Sequence, residues 1–122
     1  MSWVEFKMIV TYYAGPDKLT IKLSGAPLQK HGGAAGTYML GPNTINGKRH
    51  YLQIDGPHAL WYGSGMKNWG VGLKKNLGKS FTVFITGRNT AKNSLPDEVS
   101  GWQWEETRGW NVSPDIVVEK EG

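Results

Sequence analysis

Alternation of apolar and polar residues is common along this chain. In residues 4–12 the even positions Val4, Phe6, Met8, Val10 and Tyr12 are all apolar, the signature of a strand with one buried face. Leu19, Ile21 and Leu23 then alternate with Lys18, Thr20 and Lys22 after the turn Ala14-Gly15-Pro16-Asp17, so these two segments are expected to form a hairpin. Residues 24–36 are rich in Gly, Ala and Pro and read as a loop. Residues 37–40 read as a short strand that Gly41-Pro42-Asn43 breaks. Asn46-Gly47 is the strongest hairpin signal in the chain, because both residues tolerate positive φ.

Further strands are expected over residues 49–54, 58–62, 68–73, 80–86, 102–105 and 115–119, separated by Gly-, Pro- and Asn-containing turns. Residues 87–100 read as a polar loop. No window carries apolar residues at helical spacing without an interrupting Gly or Pro. The expected fold is therefore all-β, an antiparallel sandwich or small barrel of about eight short strands, in a single domain spanning residues 1–122.

Composition sharpens this picture. The 122 residues include 17 Gly and 6 Trp, both well above ordinary usage. Glycine serves tight turns between short strands, and tryptophan supplies large flat apolar area with one polar handle. There is no cysteine, which excludes disulfides, thiolate chemistry and Cys-based metal centres. With 14 basic and 10 acidic residues the net charge is +4, too mild and too scattered for the dense basic stripe of a nucleic-acid binder. No apolar run is long enough for a membrane-spanning helix, and Met1-Ser2-Trp3-Val4-Glu5 lacks the order of a signal peptide. Together with the missing cysteine, that start favours a cytoplasmic location.

Catalytic patterns are absent. Gly78-Lys79-Ser80 ends like a phosphate-binding loop, but Leu73 stands where the first glycine is needed, so a hairpin turn explains it. His31, His50 and His58 have no metal-ligand spacing. His50 and His58 fall on adjacent predicted strands, where they can approach each other as an ordinary facing pair. Glu105 and Glu106 are strand neighbours and point to opposite faces, so they cannot flank one bond. Asn111-Val112-Ser113 is a glycosylation sequon that matters only in a secreted chain. No enzyme, metal or cofactor is expected.

The tryptophans carry the functional signal. Trp61 and Trp69, with Leu60, Val71 and Leu73 nearby, are assigned to the core. Trp102 and Trp104 share one face of a strand. Trp104 and Trp110, beside turn residues, are expected to stay exposed as a platform, with Asn68 and Arg108 supplying polar groups. Such a platform stacks sugar rings while amide and guanidinium groups bond the hydroxyls.

Ala35-Gly36-Thr37-Tyr38, Ile45-Asn46-Gly47-Lys48, Tyr51, Leu60-Trp61-Tyr62, Trp69-Gly70-Val71-Gly72 and Ser100-Gly101-Trp102 form a recurring order. Over about residues 21–118 it resembles a Gly/Trp-rich β module found in multi-domain eukaryotic proteins, which carries no named activity. The resemblance implies a compact interaction domain with Tyr38, Tyr51, Trp61, Trp69 and Trp102 as structural markers. Trp102-Gln103-Trp104-Glu105 is also similar to a stretch of the WWE module, but the helix that module needs has no counterpart, and no site is carried over. The leading expectation is a non-enzymatic, lectin-like binding module for carbohydrate. The alternative is a protein-interaction or self-assembly module, a homo-oligomer that pairs through an edge strand at residues 4–12.

Overall fold

A computed structural model describes residues 15–65, 67–87, 95–106 and 109–121. Among them nine strands form one antiparallel sheet: β1 (Lys18–Leu23), β2 (Gly36–Ile45), β3 (Lys48–Gln53), β4 (His58–Gly63), β5 (Asn68–Leu73), β6 (Ile85–Gly87), β7 (Trp102–Glu106), β8 (Gly109–Val112) and β9 (Ile116–Lys120). Their spatial order is β8-β7-β6-β5-β4-β3-β2-β1-β9. The first eight strands are a simple meander, and β9 returns beside β1.

That order forces curvature. β8 and β9 stand at opposite ends of the sheet, yet only residues 113–115 separate them in sequence. Laid flat, nine strands would put the two ends about 38 Å apart at ordinary strand spacing, whereas the link can span only about 14 Å. The sheet therefore curls into a half-barrel that brings its ends together. Ser113 N–H bonds to the Trp102 carbonyl at 3.0 Å, and Ser24 N–H to the Asp115 carbonyl at 3.1 Å, fastening this junction.

The alternation read from the sequence decides which side chains face inward. The register places Leu19 beside Tyr38, Tyr51 beside Leu60, Leu60 beside Val71, Val71 beside Ile85, and Ile85 beside Trp104. These residues, with Ile21, Trp69, Trp102, Ile116 and Val118, fill the concave side. A smaller cluster of Ala59, Trp61 and Val83, bordered by Ile45, Leu52 and Leu77, lies on the convex side. Tyr38, Tyr51, Trp61, Trp69 and Trp102 are all buried. Burial holds the Tyr38 hydroxyl protonated well above the usual phenol range, and it donates to the Ala34 carbonyl at 2.6 Å.

The Asn46-Gly47 turn forms as expected, with φ of 54° and 81° at its two centres. Several local expectations are corrected. Residues 25–31, expected as loop, form a short helix, α1 (Gly25–His31), followed by a 3-10 turn at Gly32–Ala34. Pro27 is tolerated because it falls in the first turn, where its missing N–H would have no partner. Gly41-Pro42-Asn43 does not break β2. The strand continues through a register shift between Leu40 and Thr44, a bulge that absorbs the proline. The strand expected over residues 80–86 shrinks to Ile85–Gly87, because Phe81 takes φ 65° and turns the chain. β8 was not expected. Both edges of β1 are occupied, by β2 and β9, and residues 4–12 lie outside the described residues, as does the self-assembly reading built on them. No helix among the described residues is long and apolar enough to cross a membrane.

The histidine expectation is also corrected. His50 lies on the face of β3 that carries Leu52, and His58 on the face of β4 that carries Leu60, so the two point to opposite sides of the sheet. No group of three metal-binding side chains occurs among the described residues. His50 packs over Gly41, where an added Cβ would overlap the imidazole. His58 packs edge-on against Phe84, and His31 stacks on the same ring at 4.7 Å between centroids.

Burial lowers the pKa of both His50 and His58 below the ordinary 6.5, reinforced by the charges of Arg49 for His50 and of His31 and Lys74 for His58; backbone hydrogen bonds at Asn43 and Gly33 oppose the shifts. In acid the unfolded chain then binds protons more readily than the folded one. Stability is fully present above pH 6.5 and falls as pH drops below it through the folded-state values. Urea denaturation between pH 5 and 8 is expected to show this decline. Its slope should flatten in a His50→Gln, His58→Gln double variant; an unchanged slope would place the acid sensitivity elsewhere.

Candidate functional site

The convex face over β5–β8 is unlike the rest of the sheet. Because Trp102 and Trp104 point inward, their neighbours Gln103 and Glu105 point outward. The register sets Gly70 beside Thr86, Thr86 beside Gln103, and Glu105 beside Trp110. This lays a band of outward-facing groups across four strands. Asn68 begins β5 on the same face, two residues before Gly70.

The segment between β5 and β6 closes one side of this band. A 3-10 turn at Lys74–Asn76 and the turn at Gly78, φ 85°, bring residues 79–83 back across the convex face. Val83 packs over Gly70, where a Cβ would come within 2.8 Å of its methyls. Thr82 Oγ1 donates to the Lys79 carbonyl at 2.8 Å, and Gly65 N–H donates to Ser80 Oγ at 3.2 Å, holding the turn in place. Phe81 emerges from it 78% exposed, with φ 65°. A bulky residue in the left-handed region is strained, and an exposed ring gains no burial in return.

The result is an open cleft of about 420 Å³ lined by Asn68, Phe81, Val83, Thr86, Gln103, Glu105 and Trp110. That size is within the range of small-ligand sites. Two aromatic rings, Phe81 and Trp110, line it, and Trp110 is 43% exposed. Its polar groups are one hydroxyl, two carboxamides and one carboxylate. Thr86 is fixed by its Oγ1, which donates to the Trp69 carbonyl at 2.9 Å. No Lys, Arg or His is among the described lining residues.

Of the four residues expected to bind ligand, the structure brings Asn68 and Trp110 together in this cleft. Trp104 is a correction. It is only 6% exposed and belongs to the concave core, where His31 meets its ring edge-on. Its register partner Ile85 continues the inward row, which leaves no room for an outward ring. Arg108 lies outside the described residues. Sequence reading missed Phe81, Val83, Thr86, Gln103 and Glu105. Gln103 and Glu105 were within reach, because they alternate with two tryptophans that share one face.

No protein-family model, curated protein or solved structure matches this chain.

Proposed function

We propose that the domain is a non-enzymatic carbohydrate-binding module and that the convex cleft is its binding site. One observation carries this reading: two exposed aromatic rings, Phe81 and Trp110, line one cleft with Asn68, Thr86, Gln103 and Glu105. A pyranose presents an apolar C–H face and a rim of hydroxyls. The rings suit the first, and the carboxamides, hydroxyl and carboxylate suit the second. The strained, exposed Phe81 supports the same reading, since sequence with no task at this position has no reason to hold a phenyl ring at positive φ in water. The resemblance to the Gly/Trp-rich β module points to an interaction domain as well.

Screening on a glycan array, followed by titration of tryptophan fluorescence, tests the proposal. At least one sugar class is expected to bind. Trp110→Ala should weaken that binding by about tenfold or more, as loss of an aromatic anchor does. Because Trp110 is an exposed residue on β8, the same variant should keep the wild-type unfolding free energy to within about 0.5 kcal/mol. Binding that survives Trp110→Ala, or an array without any hit, would remove the proposal.

A further inference from the structure

Resting on the carbohydrate reading, we infer that the cleft selects cationic amino sugars over neutral and acidic ones, with Glu105 as the discriminating residue. Among the described lining residues one is charged, the Glu105 carboxylate, although the whole chain is net positive at +4. Glu105 is the direct cross-strand partner of Trp110, and both point out of the convex face. Directly opposed residues hold their side chains about 5 Å apart. A sugar ring lying on the indole therefore places its substituents beside the carboxylate.

An ammonium group at that position gains twice. It pairs with Glu105, and it faces the negative surface of an aromatic ring at Trp110 or Phe81. A carboxylate or sulfate on the sugar meets Glu105 as a like charge, and no cation among the described lining residues offsets it. A neutral hydroxyl still donates a hydrogen bond to the carboxylate but gains neither the ion pair nor the cation–π contact. The net charge of the molecule works in the opposite direction: at long range it attracts acidic glycans and repels basic ones. A preference for a cationic sugar thus has to come from the cleft itself, which separates site binding from nonspecific attraction.

The test compares short β-linked oligomers of glucosamine, N-acetylglucosamine, glucose and a uronic acid. Each is titrated calorimetrically into wild type and Glu105→Gln, at a pH where the free amine is protonated. Glucosamine oligomers are expected to bind wild type about fivefold more tightly than the neutral oligomers, the size of an exposed ion pair joined by a cation–π contact. Glu105→Gln, an exposed and isosteric change, removes the ion pair and should cut that preference to about twofold, the part the aromatic ring supplies, with amino-sugar binding losing more than neutral binding. Equal binding of neutral and amino sugars by wild type, tightest binding of the uronic acid, or a preference that Glu105→Gln leaves undiminished would each overturn the inference while leaving the carbohydrate reading intact. If no oligomer of any class binds wild type, the carbohydrate reading fails and takes the inference with it.

Discussion

Replacing Trp61 with alanine is expected to lower the unfolding free energy by about 3–5 kcal/mol, a large share of the roughly 5–15 kcal/mol that holds a domain of this size folded. The reason lies in the strand beside it. Trp61 projects from β4 onto the convex face, with Gly70 directly opposite and Gly72 diagonal to it. A Cβ at Gly72 would come within 2.8 Å of Trp61 Cη2, so the far edge of the indole sits over a β5 position that has no side chain, while Val83 covers Gly70 beside it. Ala59, on the same face of β4, is the small residue that completes this trough. The indole N–H has no acceptor among the described residues, so its contribution is one of packing.

Removing the ring leaves a cavity whose floor is hydrogen-bonded backbone, which cannot collapse to fill it. The consequence reaches the cleft. Trp61 and Val83 belong to one cluster, and Val83 sits two residues after Phe81. With the indole gone, the segment carrying Phe81 loses what it packs on, so Trp61→Ala should weaken sugar binding even where the protein remains folded. Urea denaturation followed by circular dichroism checks the stability; Trp110→Ala is the matched control on the same face. Equal losses from the two variants would mean that the convex cluster does not hold the fold together.

How much of this was legible in the sequence depends on what kind of interaction decides each feature. Strict alternation located β1 and β7, each with one buried face, because side chains repeat every two residues; β3, β4, β5 and β9 were located instead by short apolar stretches between turn residues, and β4 and β5 are buried on both faces. Asn46-Gly47 gave its turn because the conformation depends on those two residues alone. What stayed hidden depends on partners distant in sequence. Alternation put Trp102 and Trp104 on one face without saying which, and the choice is made by Ile85 and the row of apolar residues behind it.

Helix α1 has no periodicity to read; contacts of His31 with Phe84 and with the Glu105 carbonyl, at 2.9 Å, hold its end against the concave core. Phe81 sits in an apolar stretch, Phe81-Thr82-Val83-Phe84-Ile85, that looks like a buried strand. Only the return of that segment over Gly70 turns Phe81 outward. The candidate site was thus visible only in part: Asn68 and Trp110 from their places beside turn residues, the rest only once inward and outward faces were fixed.

A second large effect is expected at Gln53, on the concave face, where polarity rather than volume is at stake. Its Nε2 donates to the carbonyls of Gly33 at 2.8 Å and Ala35 at 3.1 Å. Its Oε1 accepts from the backbone N–H of His58 and from His58 Nδ1, both at 3.0 Å. One carboxamide therefore ties the 3-10 turn after α1 to the start of β4, and it fixes the proton of the neutral imidazole on Nδ1. The fit is tight, since a Cβ at Gly56 would overlap the amide.

Gln53→Met keeps the volume and removes all four bonds. Gly33 is exposed, so its carbonyl can turn to water. The His58 donors are buried and cannot, and each orphaned buried group costs about 1–3 kcal/mol. The expected loss is about 3 kcal/mol at neutral pH, measured by urea denaturation. Gln103→Met, the same exchange on the convex face, should stay within about 0.5 kcal/mol. A loss at Gln53 no larger than at Gln103 would show that the turn and β4 are held by packing alone.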